Sequence, residues 1–282
     1  MLDANAVWLV TGSSSGLGLA LANAVLDAGY RAVLTAREPG RLEALQAKHG
    51  DRVRVLRLDV TDAAAIVPAV REAEAAFGQV DVLVNNAGYG YLAAVEEGSD
   101  DEVRKLFETN VFSVVNMLRA VLPAMRQRKA GTVINISSLG GLLALPATGY
   151  YHATKYAIEA LSESLALEAA PLGLHVLIVE PGALRTAWAG SSMAESGCVI
   201  ADYAPTAGKR RETTKASSGK QPGDPARAAQ AIIEAVNATE PPLRLLLGAS
   251  AVDVARERFS TLKKNAEQWA WLSKTADFPE GE

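Results

Sequence analysis

Short apolar runs alternate with longer amphipathic stretches from the first residues to about position 247. Ala6 to Val10, Ala32 to Leu34, Val53 to Leu58, Val82 to Val84, Val133 to Ile136, Val176 to Val179 and Leu243 to Leu247 are rich in Val, Ile and Leu without strict alternation, which predicts seven strands covered on both faces. Between them the helical period predicts helices over Gly16 to Ala28, Arg41 to Lys48, Ala63 to Phe77, Val103 to Gln127, Tyr150 to Ala170 and Pro225 to Ala238. Asp62 reads as an N-cap, Gly29 as a stop, and Pro225 as a first-turn residue behind Asp224. Strand, helix and strand in repetition require right-handed crossovers, so the expected fold is a single doubly wound α/β domain: a seven-stranded parallel sheet with helices on both faces.

One stretch breaks the rhythm. Ala183 to Gly223 lacks clear periodicity and contains the polar run KRRETTKASSGK from Lys209 to Lys220; a connection of that length in a compact domain is usually a lid or disordered, and a substrate lid is expected here. Its basic cluster reads as a solvated loop tip. Beyond Gly248 a helical extension over residues 250–282, with its helix at Val252 to about Leu272, carries Phe259, Leu262, Trp269 and Trp271 and is expected to pack on the domain or on a neighbouring subunit.

Composition narrows the classes. Of 282 residues 49% are hydrophobic, enough for a large core, and 28 basic against 32 acidic side chains give a net charge of −4, which offers no electrostatic case for nucleic acid or an anionic membrane. The single cysteine, Cys198, and three scattered His provide no metal-ligand spacing and no intrachain disulfide, so no metal is expected and the location expected is cytoplasmic. The segment Met1 to Ala6 has Asp3 and no basic residue, unlike a signal peptide.

The first strand runs directly into Thr11, Gly12, Ser13, Ser14, Ser15, Gly16, Leu17 and Gly18, which open the first long helix. In that context Gly12 permits a tight turn, Gly16 lets backbone approach a pyrophosphate, and Gly18 lets helix and strand pack closely; the helix N-terminus supplies N–H groups to phosphates. A fold of this kind that prefers NAD commonly carries an acid about 20 residues further on. Here the second strand ends Leu34, Thr35, Ala36, Arg37, and a guanidinium at that place suits a 2′-phosphate, so NADP(H) is expected rather than NAD(H). The bland alternative is an Arg that merely starts the next helix in solvent. Tyr151 and Lys155 lie four apart on one helical face, where an ammonium beside a phenol is expected to lower its pKa and make an acid–base pair.

TGSSSGLG (Thr11 to Gly18), NNAG (Asn85 to Gly88) after the fourth strand, Asn110 in the next helix, Ser137 and Ser138 after the fifth strand, YHATK (Tyr151 to Lys155) and Pro181-Gly182 after the sixth strand fall in order. Together, across about residues 5 to 250, they resemble the short-chain dehydrogenase/reductase family, whose fold is the Rossmann type. The resemblance implies that Ser138, thirteen residues before Tyr151, holds a substrate carbonyl in preference to Ser137. It implies that Tyr151 passes the proton, that Lys155 holds the nicotinamide ribose, and that Asn110 anchors a water linking Lys155 to solvent. For the cofactor it implies contacts from Gly12, Ser14, Ser15, Gly16, Leu17 and Gly18, from Arg37, from Asp59 and Val60 at the adenine, from Asn86, Ala87 and Gly88, from Tyr151 and Lys155, and from Pro181, Gly182 and Thr186, with Thr186 a carboxamide ligand.

The expected activity is an NADP(H)-dependent oxidoreductase that interconverts a ketone or aldehyde and an alcohol. Trp188, Met193, Ile200 and Tyr203 in the lid suggest a hydrophobic substrate, and Tyr89, Tyr91, Trp188, Met193 and Tyr203 are candidate pocket walls. The alternative from another class is a non-catalytic dinucleotide-binding sensor or scaffold. Val111, Phe112, Val115 and Leu118 on one helix and Ile158, Leu161, Leu165 and Leu167 on another exceed a single sheet-facing stripe, so a homodimer or homotetramer is expected through those helices.

Overall fold

The structure is a computed structural model that describes residues 2–190 and 192–278. Its strands are β1 (Val7–Val10), β2 (Arg31–Ala36), β3 (Val53–Arg57), β4 (Val82–Asn85), β5 (Gly90–Leu92), β6 (Gly131–Ile136), β7 (Leu174–Pro181), β8 (Met193–Glu195) and β9 (Arg244–Leu247). Seven of them form one parallel sheet in the order β3-β2-β1-β4-β6-β7-β9. The chain winds outward from β1 to β3, returns to lay β4 against β1, and then winds outward the other way. The strand order therefore reverses at β1 and β4, and a crevice opens beyond their carboxyl ends, where folds of this type bind ligands.

The helices are α1 (Gly16–Asp27), α2 (Glu43–His49), α3 (Ala63–Phe77), α4 (Asp100–Phe107), α5 (Ser113–Arg128), α6 (Gly149–Ala169), α7 (Lys209–Ala216), α8 (Pro225–Asn237) and α9 (Ala249–Ser273). Strand periodicity divides β1 between two cores. Trp8 and Val10 face α1 and α8, with Leu21, Val25, Ile232 and Ile233; Val7 and Leu9 face α3, α5 and α6, with Ile66, Met117 and Ile158. Each core excludes water from one face of the sheet, and burying a Leu or Ile side chain in either contributes about 1.5–3 kcal/mol.

Two expectations need correction. The single helix expected over Val103 to Gln127 is three pieces: α4, a π turn at Glu108–Phe112, and α5. Ser99 caps α4 through the Glu102 N–H at 3.3 Å, three acids fill its first turn, and the π turn carries Asn110 into the interior. The run Lys209 to Lys220 is not a solvated loop tip: α7 occupies most of it, with Arg211 and Thr214 buried. Buried Glu97 pairs with Arg211, while Glu195 lies 3.6 Å from Arg211 Nε and 2.6 Å from Lys215 Nζ. Those counter-charges come from elsewhere in the chain and pull the basic segment inward.

The breadth of apolar positions on the two long helices also has a partly internal explanation. Val111, Leu118, Ile158 and Leu165 are buried within the chain, whereas Phe112, Leu161 and Leu167 remain exposed, Leu167 at 80%. In the C-terminal extension Ala251 and Ala255 are buried at the start of α9, and Phe259, Leu262, Trp269 and Trp271 stay exposed. No helix among the described residues is long and apolar enough to cross a membrane.

Candidate active site

The crevice is a cavity of about 1240 Å³. Its floor begins at the glycine turn. Gly12 and Gly16 have φ of +66° and +57°, a region that side chains other than Gly rarely adopt. A Cβ on Gly12 would meet Ala87 Cα at 2.9 Å, so the turn packs directly on the segment after β4. The Thr11 hydroxyl fastens the same junction: it accepts from the Asn86 and Ala87 N–H groups at 3.0 and 3.1 Å and donates to the Val84 carbonyl. The Asn86 amide donates in return to the Thr11 and Gly12 carbonyls. Ser15, the N-cap of α1, makes no side-chain cap bond, so the start of the helix is left open toward the cavity. Uncapped N–H groups at a helix N-terminus suit a phosphate anion, so this donor set fits a dinucleotide.

Of the residues expected around a cofactor, Gly12, Ser14, Ser15, Gly16, Leu17, Arg37, Asp59, Val60, Asn86, Ala87, Gly88, Tyr151, Lys155, Pro181, Gly182 and Thr186 all line this one cavity. Gly18 does not. It is buried under the Asn86 amide, and a Cβ there would meet the Gly12 carbonyl oxygen at 2.5 Å; its work is packing. Arg37 is exposed at the far end, near enough to Asp59 to help hold that carboxyl below its ordinary value. The larger cause is the Thr61 N–H, which donates to Asp59 at 3.0 Å.

Ser138, Tyr151 and Lys155 form the opposite wall. Ser138 ends the loop after β6, and its hydroxyl accepts from the Gly140 N–H at 3.0 Å. Tyr151 and Lys155 stand one turn apart near the start of α6, with Lys155 Nζ 5.7 Å from the Tyr151 ring centre. Lys155 donates to the Ile136 carbonyl at 2.8 Å, which fixes the ammonium against the end of β6. Burial lowers its pKa to about 8, with Glu159 opposing.

Tyr151 departs from expectation. Burial pushes its phenol up to about 12, while the Ser138 hydroxyl and the Trp188 indole oppose the shift. Desolvation outweighs both hydrogen bonds, which leaves Tyr151 a neutral phenol near pH 7. Asn110 is buried and does not line the cavity. Its side chain accepts from the Tyr89 N–H at 3.1 Å and donates to the Tyr89 carbonyl at 2.9 Å and the Thr154 hydroxyl at 3.1 Å, tying the π turn to α6.

Residues of the segment 183–223 supply a further wall of the cavity. Thr186 accepts from the Trp188 N–H at 3.2 Å, and the Trp188 ring lies 5.1 Å from that of Tyr151. Short strands β5 and β8 pair in parallel and bring Met193 over Gly90, where a Cβ would meet Met193 Cε at 2.6 Å. Tyr89, Trp188 and Met193 are walls as expected. Tyr91 is instead buried beneath the wall, and Tyr203 turns outward to donate to Glu96 at 2.8 Å. His152 is buried and lines the cavity, and Leu143, Leu145 and Arg210 line it too. Sequence reasoning missed these four because they reach the cavity from three segments with no shared motif. Among the described residues no cluster suited to a metal ion occurs.

A doubly wound sheet with a phosphate-ready turn at its switch point and a Ser, Tyr and Lys wall defines the class: a dinucleotide-dependent oxidoreductase fold. The profile described as short chain dehydrogenase matches residues 6–197. The chain belongs to the short-chain dehydrogenase/reductase family of oxidoreductases. Oxidoreductase BOA17 of Botryotinia fuckeliana is 41% identical over 268 residues, covering 95% of this chain and 97% of that protein. The 3-ketodihydrosphingosine reductase of Bacteroides thetaiotaomicron is 34% identical, covering 93% and 95%. A short-chain dehydrogenase from Streptomyces avermitilis superimposes with a TM-score of 0.92 at 44% identity, covering 98% and 100%. Similar folds carry either cofactor. A Burkholderia phymatum family member in complex with NAD has a TM-score of 0.82 at 25% identity, covering 94% and 97%. A metagenomic short-chain oxidoreductase in complex with NADP has 0.68 at 28%, covering 87% and 98%.

Proposed function

We propose that this protein is an NADP(H)-dependent oxidoreductase that interconverts a hydrophobic ketone or aldehyde and its alcohol, with Tyr151 as the proton donor and acceptor. The observation that carries the reading is the convergence of Ser138, Tyr151 and Lys155 on one wall of the cavity whose other end is the Gly12 to Leu17 turn. Bound there, the nicotinamide supplies and accepts hydride. The chain's residues do the rest. Ser138 holds the carbonyl oxygen by its hydroxyl, and the protonated Tyr151 delivers a proton to that oxygen as charge develops on it. Lys155 holds ribose hydroxyls, and Asn110 fixes the Tyr89 backbone beside the lid and ties α6 to the π turn. Exposed Arg37 receives the 2′-phosphate, and Trp188 and Met193 shield the site from water. The ketone named in the Bacteroides relative is in keeping with a hydrophobic substrate. Incubation with NADPH and a panel of aliphatic, aromatic and polycyclic ketones, followed at 340 nm, tests the reading; no NADPH oxidation across the panel counts against it.

The titration of Lys155 gives a pH dependence with a definite sign. With its pKa lowered to about 8, the lysine is charged below that value and neutral above it, whereas Tyr151 at about 12 keeps its proton throughout the working range. For carbonyl reduction, kcat/KM for NADPH, which reports the free enzyme, is therefore expected to fall about tenfold per pH unit above about 8. A profile that stays level to pH 10 contradicts the role given to Lys155.

The same reading makes the enzyme a cytoplasmic homodimer or homotetramer joined through the α4–α5 segment and α6. Support comes from Phe112, Leu161 and Leu167, apolar side chains left exposed on those helices, while α9 keeps its own aromatics exposed as well. Light scattering after size exclusion is expected to return a multiple of 29.6 kDa. A fully active enzyme with the mass of one chain rules it out.

A further inference from the structure

The charged side chains lining the cavity are nearly all answered. Glu102 and Lys105 pair at 3.1 Å at the rim, Lys155 is bound to the Ile136 carbonyl, and Arg37 is the residue given to the 2′-phosphate in the proposed function. Arg210 is different. It stands in the first turn of α7, beside Arg211, which takes Glu97 and approaches Glu195; Lys215 takes the other Glu195 oxygen. The acids that anchor α7 are thus engaged by its neighbours. Among the described residues Arg210 has no ion pair, and its Nε is buried without a hydrogen-bond partner.

The surroundings state what is missing. Arg210 lines the same cavity as Leu143, Trp188, Met193 and His152, and its charge reaches the His152 imidazole. His152 accepts from the Leu145 N–H at Nδ1, so its other nitrogen carries the hydrogen of the neutral ring. Burial, with Arg210 adding to it, pushes the imidazole down to about 4, and the ring centre lies 5.7 Å from that of Tyr151. A half-buried guanidinium that lines the same cavity as Tyr151 loses hydration at Nε without a protein partner in return. Its planar fork matches two carboxylate oxygens.

Resting on the oxidoreductase reading of this cavity, we propose that Arg210 selects the substrate: it binds a carboxylate carried by an otherwise apolar oxo or hydroxy compound. The guanidinium and Tyr151 then hold two ends of one molecule, which sets which carbon of the chain meets the nicotinamide.

The test uses matched pairs: 3-oxo-, 5-oxo- and 7-oxo-octanoate against their methyl esters, each with NADPH. Wild type is expected to favour at least one acid over its ester by about tenfold or more in kcat/KM, because a charge-assisted pair is lost on esterification. Arg210→Met is expected to bring that ratio near one, Arg210→Lys to restore part of it, and NADPH affinity to stay level in both. Esters used as well as acids by wild type, or an equal fall in NADPH affinity, overturns the proposal while leaving the reductase intact. Binding of octanoate against octanamide to the NADP complex, by calorimetry, separates the two claims when no pair turns over. Tighter octanoate binding that Arg210→Met abolishes supports Arg210 even with the reductase reading lost; equal binding of acid and amide refutes it.

Discussion

Tyr151→Phe is expected to lower turnover by about 10²- to 10⁴-fold while leaving cofactor affinity nearly unchanged. The substitution removes one oxygen and keeps the ring, which is buried in a cluster with Tyr91, Ala93 and Leu106 and packs on Trp188. The folded state has little to lose from it. With the phenol raised to about 12 by burial, the group deleted is a neutral donor near pH 7, so the reductive direction loses its proton source outright. Lys155→Ala is expected to behave differently, because that ammonium is anchored on the Ile136 carbonyl and lines the cavity where the proposed function has it hold the ribose; affinity and rate are then expected to fall together. Stopped-flow turnover and NADPH titration on the same preparations distinguish the two patterns. Substantial turnover by Tyr151→Phe on a substrate that wild type reduces sinks the proton-transfer role, and cofactor binding without turnover by the wild type would favour a sensor.

What was legible from sequence follows the range of the interactions involved. All seven strands of the main sheet were readable, because each is a local run whose neighbours on both faces are apolar. Helix α3 could be read end to end, since Asp62 supplies a cap at 3.1 Å from the Ala64 N–H and Gly78 closes it at positive φ. The one-turn spacing of Tyr151 and Lys155 was legible by period, but only the ordered motifs around it singled the pair out. The π turn was not legible, because Asn110 is drawn inward by the Tyr89 backbone and Thr154, partners 21 and 44 residues away. Strands β5 and β8 have three residues each, too few for any period, and they pair across about a hundred positions. The burial of Arg211 depends on Glu97, 114 residues earlier, so a basic run that looks solvated in isolation becomes the underside of a lid. The Tyr151 pKa belongs to the same class. The spacing to Lys155 is visible in the sequence, whereas the depth of burial that raises the phenol is a property of the whole fold.

Arg37→Asp is expected to invert cofactor preference, moving the NADPH to NADH affinity ratio by about a thousandfold. Loss of a charge-assisted contact to the 2′-phosphate accounts for about 10- to 100-fold, and repulsion between the introduced carboxylate and that phosphate adds the remainder. Arg37 suits the measurement because it is exposed, makes no ion pair among the described residues, and stands after the last residue of β2, so its replacement leaves the sheet untouched. Asp59, which feels the charge at position 37, remains in place. Its carboxyl is held down chiefly by the Thr61 N–H, so it stays charged without Arg37 and keeps its own cavity contact. Arg37→Ala divides the effect, retaining the loss and removing the repulsion, and is expected to leave the two cofactors nearly equal. Trp188 on the cavity wall supplies a fluorescence signal for titrating both. Wild-type protein that binds NADH as tightly as NADPH, or an Arg37→Asp variant with an unaltered ratio, would place the guanidinium in solvent and return the 2′-phosphate to some other residue. A ratio that falls by the same factor at low and at high ionic strength would also count against a mainly electrostatic origin, since an exposed charge pair weakens as salt screens it.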